Sequence, residues 1–206
     1  EEICNGKYEP GYWLQEMEVA ARLRVSRSPV REALRQLTRD GLVRDIPNKG
    51  VFVREFSIQD IEDVFDLRIM MESFALLHTS PKLEVPAKER LLEMLRQIEQ
   101  AHTQGDRKAY ITADIQFHHY LIELCGNTFL VKAYGDVYSM IKQFCIYSLI
   151  DLQRFDDSMV EHREIVHGIV TGQMEEAERC NRVHLELTKQ KLAEVLGARK
   201  PSPAVG

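Results

Sequence analysis

Val25-Ser26-Arg27-Ser28-Pro29-Val30-Arg31-Glu32-Ala33-Leu34-Arg35-Gln36-Leu37 is the stretch on which the reading of the first part of the chain turns. Ser26 and Ser28 can cap a helix, and Pro29 is tolerated in its first turn. From there to about residue 39, Val30, Ala33, Leu34 and Leu37 recur at i, i+3, i+4 and i+7, the spacing of one apolar helix face. The opposite face offers Arg27, Ser28, Arg31 and Arg35. A guanidinium pairs bidentately with a guanine edge or a phosphate and stays charged at any working pH. The Ser26 and Ser28 hydroxyls, beside the backbone N–H groups of a helix start, suit phosphate. Upstream, residues 15–23 carry Met17, Val19, Ala20 and Leu23 in helical spacing, and a break follows at Arg24-Val25. Downstream, Asp40-Gly41 closes the helix. Residues 42–46 and 51–54 read as short strands joined by the turn Pro47-Asn48-Lys49-Gly50. Helix, tight break, basic helix and hairpin form the layout of a winged helix-turn-helix. A solvated basic helix face with no nucleic-acid role is the competing reading of the arginines.

Charge separates the same stretch from the rest. The chain of 206 residues carries a net charge of −5, which by itself argues against nucleic acid. Residues 22–54, however, hold nine Lys and Arg against three acids, a balance of +6 that leaves −11 on the remainder. A basic head on an acidic body suits a DNA reader joined to a regulatory unit. Everything after Ser57 reads as helix, in six segments with short links. Breaks fall at Pro81 and Pro86, at Gly105-Asp106, at Cys125-Gly126-Asn127, between about residues 152 and 158, and at Gly172. Such a pattern implies an antiparallel bundle. The expected organisation is therefore mainly α: a winged helix-turn-helix over 1–55, an all-helical unit over 56–197, and a disordered tail over 198–206. The opening Glu1-Glu2 leads us to expect that the start of the first helix is missing. It also lacks the basic and then apolar pattern of a secretory segment. No apolar run reaches the roughly 18 residues of a membrane span. Cys4, Cys125, Cys145 and Cys180 form no C-x-x-C pair and are expected to be reduced thiols in a cytoplasmic protein.

The helical half contains one set of residues with site chemistry. Asp114 and His118, at i and i+4, lie one turn apart on one face of the third segment. His162 lies in the fifth segment and His184 in the sixth. If they meet at the bundle centre, three imidazoles and a carboxylate suit a divalent first-row ion such as Zn²⁺, Ni²⁺, Mn²⁺ or Fe²⁺, with positions left open. Taken one at a time, each histidine reads more readily as an ordinary surface or hydrogen-bonded side chain than as a ligand. An enzyme would need a general base besides the ligands, and only Glu161 and Glu164 flank His162. No nucleophile motif, P-loop or dinucleotide fingerprint occurs, so an enzyme, such as a metal-dependent hydrolase, is not expected.

Two resemblances sharpen these expectations. Ile3, Gly6-Lys7-Tyr8-Glu9-Pro10-Gly11, the run Val25 to Leu34, Leu37, Gly41-Leu42-Val43 and Asn48-Lys49-Gly50-Val51-Phe52-Val53 resemble the GntR family of bacterial regulators across nearly all of residues 1–55. The resemblance implies that Arg27 and Arg31 contact DNA, with Lys49 beside them, and that Gly50 enters the minor groove. It also implies a homodimer on a short palindromic operator. Met17 departs from the pattern, standing where many members carry an arginine, a contact then lost or supplied by Arg22 or Arg24. Asp114-x-x-Phe117-His118, Gly126-Asn127, Leu130, Glu161-His162-Arg163-x-Ile165, Ala177 and His184-Leu185 resemble the FCD effector domain of the FadR subfamily. That resemblance implies that Asp114, His118, His162 and His184 hold a metal ion. It further implies that Arg68 clamps the carboxylate of a small effector, the alternative being a surface ion pair with Glu72. Asn181, where relatives carry an apolar residue, is expected to tune the pocket or else to be a surface amide. Tyr147 is a further candidate for the pocket lining. His78, His102, His119 and His167 match no ligand position. A purely structural metal is the second reading of the cluster.

Overall fold

The computed structural model describes residues 2, 7–8, 10–39, 41–148 and 152–198, without the side chains of 136–139, 142–143, 145–148 and 152. The chain divides into two compact units, with Ser57 the last residue of the first stretch and Ile58 opening the second.

In the first unit, α1 spans Glu16–Leu23 and α2 spans Arg27–Arg39. Arg24 makes the break between them in the left-handed conformation (φ 55°), its N–H returning to the carbonyls of Ala20 and Ala21. Strands β1 (Val43–Ile46) and β2 (Gly50–Val53) pair antiparallel, with Val43 opposite Val53 and Ile46 opposite Gly50. Trp13 bridges to Phe52 on the outer side of the hairpin and stacks on it. Gly50 has φ 105°, and a Cβ there would sit 2.7 Å from the Trp13 indole nitrogen, so glycine is demanded by backbone and neighbour together. Leu14, Ala20, Val30, Leu34, Leu42, Val43 and Val53 form the core. The apolar faces expected from spacing are thus only half buried. Met17, Leu23 and Ala33 remain exposed, and Val19 and Leu37 are partly so. The reason is geometric: Leu23, Val25, Ala33 and Leu37 line an open apolar cleft of about 440 Å³ rather than a closed interior. Asp40 lies outside the described residues.

The second unit is all helix: α3 Ile58–His78, α4 Val85–Thr103, α5 Arg107–Leu124, α6 Thr128–Ser148, α7 Leu152–Thr171 and α8 Met174–Gly197. Pro86 sits in the first turn of α4, where its missing N–H costs nothing. The Asp106 carboxylate caps α5 by accepting from the Ala109 N–H at 2.9 Å, and Asn127 caps α6 through the N–H groups of Phe129 and Leu130. One boundary departs from expectation. Helix α6 closes at Ser148 and α7 opens at Leu152, six residues before Ser158; residues 149–151 lie outside the described set. Ser158 therefore lies buried within the helix rather than at its start. Helix α8 packs along both α3 and α7, while α5 packs on α3, α4 and α6, which brings α3, α5, α7 and α8 around one interior. Among the described residues no helix is long and apolar enough to cross a membrane. Cys125 and Cys180 are free thiols; Cys4 and the Cys145 side chain lie outside the described set.

Helices α7 and α8 approach closely at Gly168. A Cβ there would meet Ala177 at 3.0 Å from its N and Cβ and 3.1 Å from its Cα. Backbone cannot swing aside as a side chain can, so Gly168→Val should overpack this crossing and cost about 1–3 kcal/mol. Thermal denaturation of the purified variant should show a clear drop in Tm.

Candidate metal centre and DNA-reading face

Helix α5 presents Asp114 and His118 on its buried face, α7 presents His162, and α8 presents His184. One ligand atom from each lies within 4.8 Å of the others, and all four residues are buried. The His162 Nε2 stands 3.0 Å from Asp114 Oδ1, and the His118 Nε2 stands 3.7 Å from the same oxygen. The three ring centroids are 4.7–5.5 Å apart.

What surrounds the rings decides which nitrogen faces inward. His118 Nδ1 is 2.8 Å from Glu72 Oε2, His184 Nδ1 is 2.6 Å from Glu161 Oε2, and His162 Nδ1 is 2.6 Å from the Ser158 carbonyl. Ionised carboxylates and carbonyls only accept, and the one donor nearby, Arg154 Nη2 at 3.1 Å from His184 Nδ1, has its protons on Glu161 and Thr188, so each Nδ1 carries the proton and donates outward. Each Nε2 then turns a lone pair to the shared interior, and those of His118 and His162 have no hydrogen-bond partner among the described residues. Lone pairs and a carboxylate converging in a buried space repel one another unless a cation lies between them. The outward hydrogen bonds are also the support that metal-ligating histidines require. Donor chemistry and orphaned nitrogens therefore fit a divalent ion. Burial pushes the His118 and His184 imidazoles down, the neighbouring rings adding to the effect at His184. Burial alone would raise the Asp114 carboxyl, but His118 and His162 outweigh it and hold the group well below the usual carboxylate range.

The outer ring is where sequence reading missed most. Glu72 appeared only as a surface partner of Arg68. Both are in fact fully buried, with Arg68 Nε donating to Glu72 Oε1 at 2.8 Å. The same carboxylate accepts from the Tyr134 hydroxyl (2.8 Å), His118 Nδ1 and Asn181 Nδ2 (2.9 Å). Burial would raise Glu72, but the adjoining His118 ring and the Arg68 guanidinium hold it well below its ordinary range. Asn181 is buried, not a surface amide, and its Oδ1 has no hydrogen-bond partner among the described residues. Glu161 is not a free base. Arg154 grips both its oxygens at 2.9 and 2.7 Å and also reaches the His184 carbonyl and Thr188 Oγ1. The Tyr110 hydroxyl, itself buried, donates to Ser158 Oγ beneath His162. The only trace of this ring in the sequence is adjacency: Glu161 precedes His162, and Glu72 follows Arg68 by one turn. His78, His102, His119 and His167 stay outside the cluster, and the Tyr147 side chain lies outside the described residues.

In the first unit, Arg27, Arg31, Arg35 and Gly50 border one groove of about 470 Å³ on the exposed side of α2, with Trp13, Glu16 and Met17 on its other wall. Ser26, Ser28 and Lys49 are exposed. Glu16, unremarked in the sequence, takes Arg31 with both oxygens at 2.9 Å and Arg27 at 3.4 Å. Met17 is 66% exposed, and Arg22 is engaged by Glu2, its Nη2 at 2.5 Å.

Comparison with known proteins agrees with both halves. The FCD domain family matches residues 63–187, and the family described as bacterial regulatory proteins, gntR family, matches residues 1–53. An uncharacterized HTH-type transcriptional regulator from the TAR-I ttuE-ttuC' intergenic region of Agrobacterium vitis is 34% identical over 124 residues, covering 58% of this chain and 72% of that protein. The gluconate operon transcriptional repressor of Bacillus subtilis is 26% identical over 71% of this chain and 60% of its own length. A solved putative GntR transcriptional regulator from Rhodococcus sp. RHA1 superposes with a TM-score of 0.80 at 28% identity, covering 97% of this chain and 94% of that one.

Two outcomes follow from the buried groups. Below about pH 6.5 the unfolded chain takes up protons at His118 and His184 that the folded chain does not, so the chelator-stripped protein loses stability as pH falls. Asp114 and Glu72, also held low, extend the same loss through the ordinary carboxylate range. Melting curves between pH 7.5 and 5 should show a steady fall in Tm, and a flat profile would count against buried neutral imidazoles. Glu72→Gln leaves the buried Arg68 charge without its counter-ion and should cost about 3 kcal/mol or more in denaturant unfolding.

Proposed function

The chain belongs to the gntR family of bacterial regulatory proteins and carries an FCD domain, so it is a DNA-binding transcriptional regulator rather than an enzyme, and we propose that its operator affinity is controlled by a small carboxylate effector bound at a divalent metal ion in the helical unit. One observation carries the proposal: three buried imidazoles, each with its Nδ1–H tied outward, turn Nε2 toward one Asp114 carboxylate. Asp114, His118, His162 and His184 would hold the ion, which when bound supplies a Lewis-acid site for a carboxylate oxygen. Zn²⁺, Ni²⁺, Mn²⁺ and Fe²⁺ all suit this donor set. Arg68 and Asn181 stand at the edge of the cluster through Glu72 and are the effector-recognising residues in this reading. One relative is named as the repressor of a gluconate operon, and gluconate is a carboxylate of the class proposed.

On the DNA side, Ser26, Arg27, Ser28, Arg31, Arg35, Lys49 and Gly50 make the operator contacts, the arginines in the major groove and the wing at Gly50 in the minor groove. The working form is a cytoplasmic homodimer of the FadR type on a palindromic site. The effector acts by population shift: it changes DNA affinity only as far as it prefers one arrangement of the two heads.

The sensing half is tested by elemental analysis of the purified protein followed by thermal shift. Chelator should lower Tm, and a panel of small carboxylates should raise it only in the metal-loaded protein. Loss with chelator but no carboxylate response would assign the ion a structural role, and His162→Ala should abolish both effects. For the reading half, Arg31→Ala should weaken operator binding by about 1–3 kcal/mol if Arg31 reads a base. A titration in which that variant matches wild type removes the assignment.

A further inference from the structure

Arg31 does not meet the groove as a free cation. Its Nε donates to Glu16 Oε1 and its Nη2 to Glu16 Oε2, both at 2.9 Å, a side-on bidentate pair made from α1 to α2. Nη1 carries no hydrogen bond among the described residues, so the end-on fork of the guanidinium, Nη1 with the second Nη2 proton, is left to face outward. We infer that Glu16 is a specificity-determining residue that buttresses Arg31 for bidentate readout of a guanine while disfavouring phosphate at the same place.

The chemistry distinguishes the two targets. A guanine edge offers two fixed acceptors, O6 and N7, and rewards a guanidinium whose plane is already set. A phosphate accepts from many directions and is satisfied by any mobile cation. A carboxylate behind Arg31 serves the first and opposes the second, since it fixes the plane and places negative charge beside any approaching phosphate. Stability does not explain the pair. Arg31 is 52% and Glu16 26% exposed, and ion pairs in contact with water add little to folding. Glu16 stays ionised through the working range, its carboxyl lowered by the Arg31 hydrogen bond. Arg27 touches the same carboxylate only at 3.4 Å and is held far more loosely, which suits a phosphate contact. The left-handed Arg24 between the two helices sets their spacing and so keeps Glu16 opposite Arg31.

The inference rests on the reading of Arg31 as a base contact, and the test separates the two. The full chain is used to select duplexes from a random double-stranded library. Fluorescence anisotropy then measures wild type, Glu16→Gln, Glu16→Asp and Arg31→Ala on the selected duplex, on versions with each guanine replaced, and on a scrambled duplex across a salt series. For wild type, one guanine per half-site should carry a discrimination of about tenfold or more. Glu16→Gln should reduce that to about threefold or less, bind the scrambled duplex several-fold tighter, and steepen the salt slope by about one. Glu16→Asp keeps the charge but shortens the reach, so it should lose discrimination without the gain on scrambled DNA. A merely structural role would weaken both duplexes alike. If Glu16→Gln keeps full discrimination at every guanine, the buttress is refuted although Arg31 still reads a base. If Arg31→Ala also matches wild type, the base contact falls and the buttress with it.

Discussion

Glu72 has no exposure to water, and a buried carboxylate is costly unless its lone pairs are filled and its charge is answered. Four donors fill them, one each from α3, α5, α6 and α8: Arg68, His118, Tyr134 and Asn181. The helical unit is arranged around that requirement. Because the carboxylate only accepts, His118 must present an N–H to it, and the ring's other nitrogen must then face Asp114. The same demand turns the Asn181 amide so that its nitrogen meets Glu72. A single buried charge thus orients one site imidazole and one neighbouring amide while joining four helices.

Glu161 repeats the logic on the far side of the cluster, with Arg154 as counter-ion and His184 as the oriented ring. Inner and outer groups are therefore interdependent. Each imidazole is useful as a donor because something outside it has settled the tautomer, and each outer carboxylate is tolerable in the interior because an arginine accompanies it.

Much of this molecule is legible along the chain, for local reasons. The helix-turn-helix and its hairpin are marked by Pro29, Gly41 and Asn48-Lys49-Gly50, whose backbone preferences act within a few residues. Asp114 and His118 announce themselves by one-turn spacing, and family resemblance adds His162 and His184. What sequence did not reveal depends on tertiary approach. Nothing near Glu72 in the chain says that α6 and α8 will deliver a tyrosine and an asparagine to it. Arg154 was hidden for a different reason: no glycine or proline in the sequence marks the opening of α7 at Leu152, so its first six residues read as connection. Glu16 escaped notice because acids in a first turn, here Glu16 and Glu18, have an ordinary explanation in the helix dipole, and only the fold shows two arginines against Glu16. The exposed apolar side chains of the first unit show the converse, since periodicity predicts a face but not what covers it.

The third imidazole is supported differently from the other two. His118 and His184 lean on carboxylates delivered by other helices, whereas His162 donates to the carbonyl of Ser158, four residues back in its own helix. A main-chain acceptor exists whatever side chain stands at that position. Over evolutionary time, drift at position 158 would leave the tautomer of His162 intact, disturbing only the hydroxyl's contacts with Tyr110 and, at 3.5 Å, with the His162 ring. Positions 72 and 161 have less latitude, because there the acceptor is the side chain itself. Mutational tolerance around the cluster is accordingly lopsided: two sides are locked to particular residues, and the third is secured by the backbone.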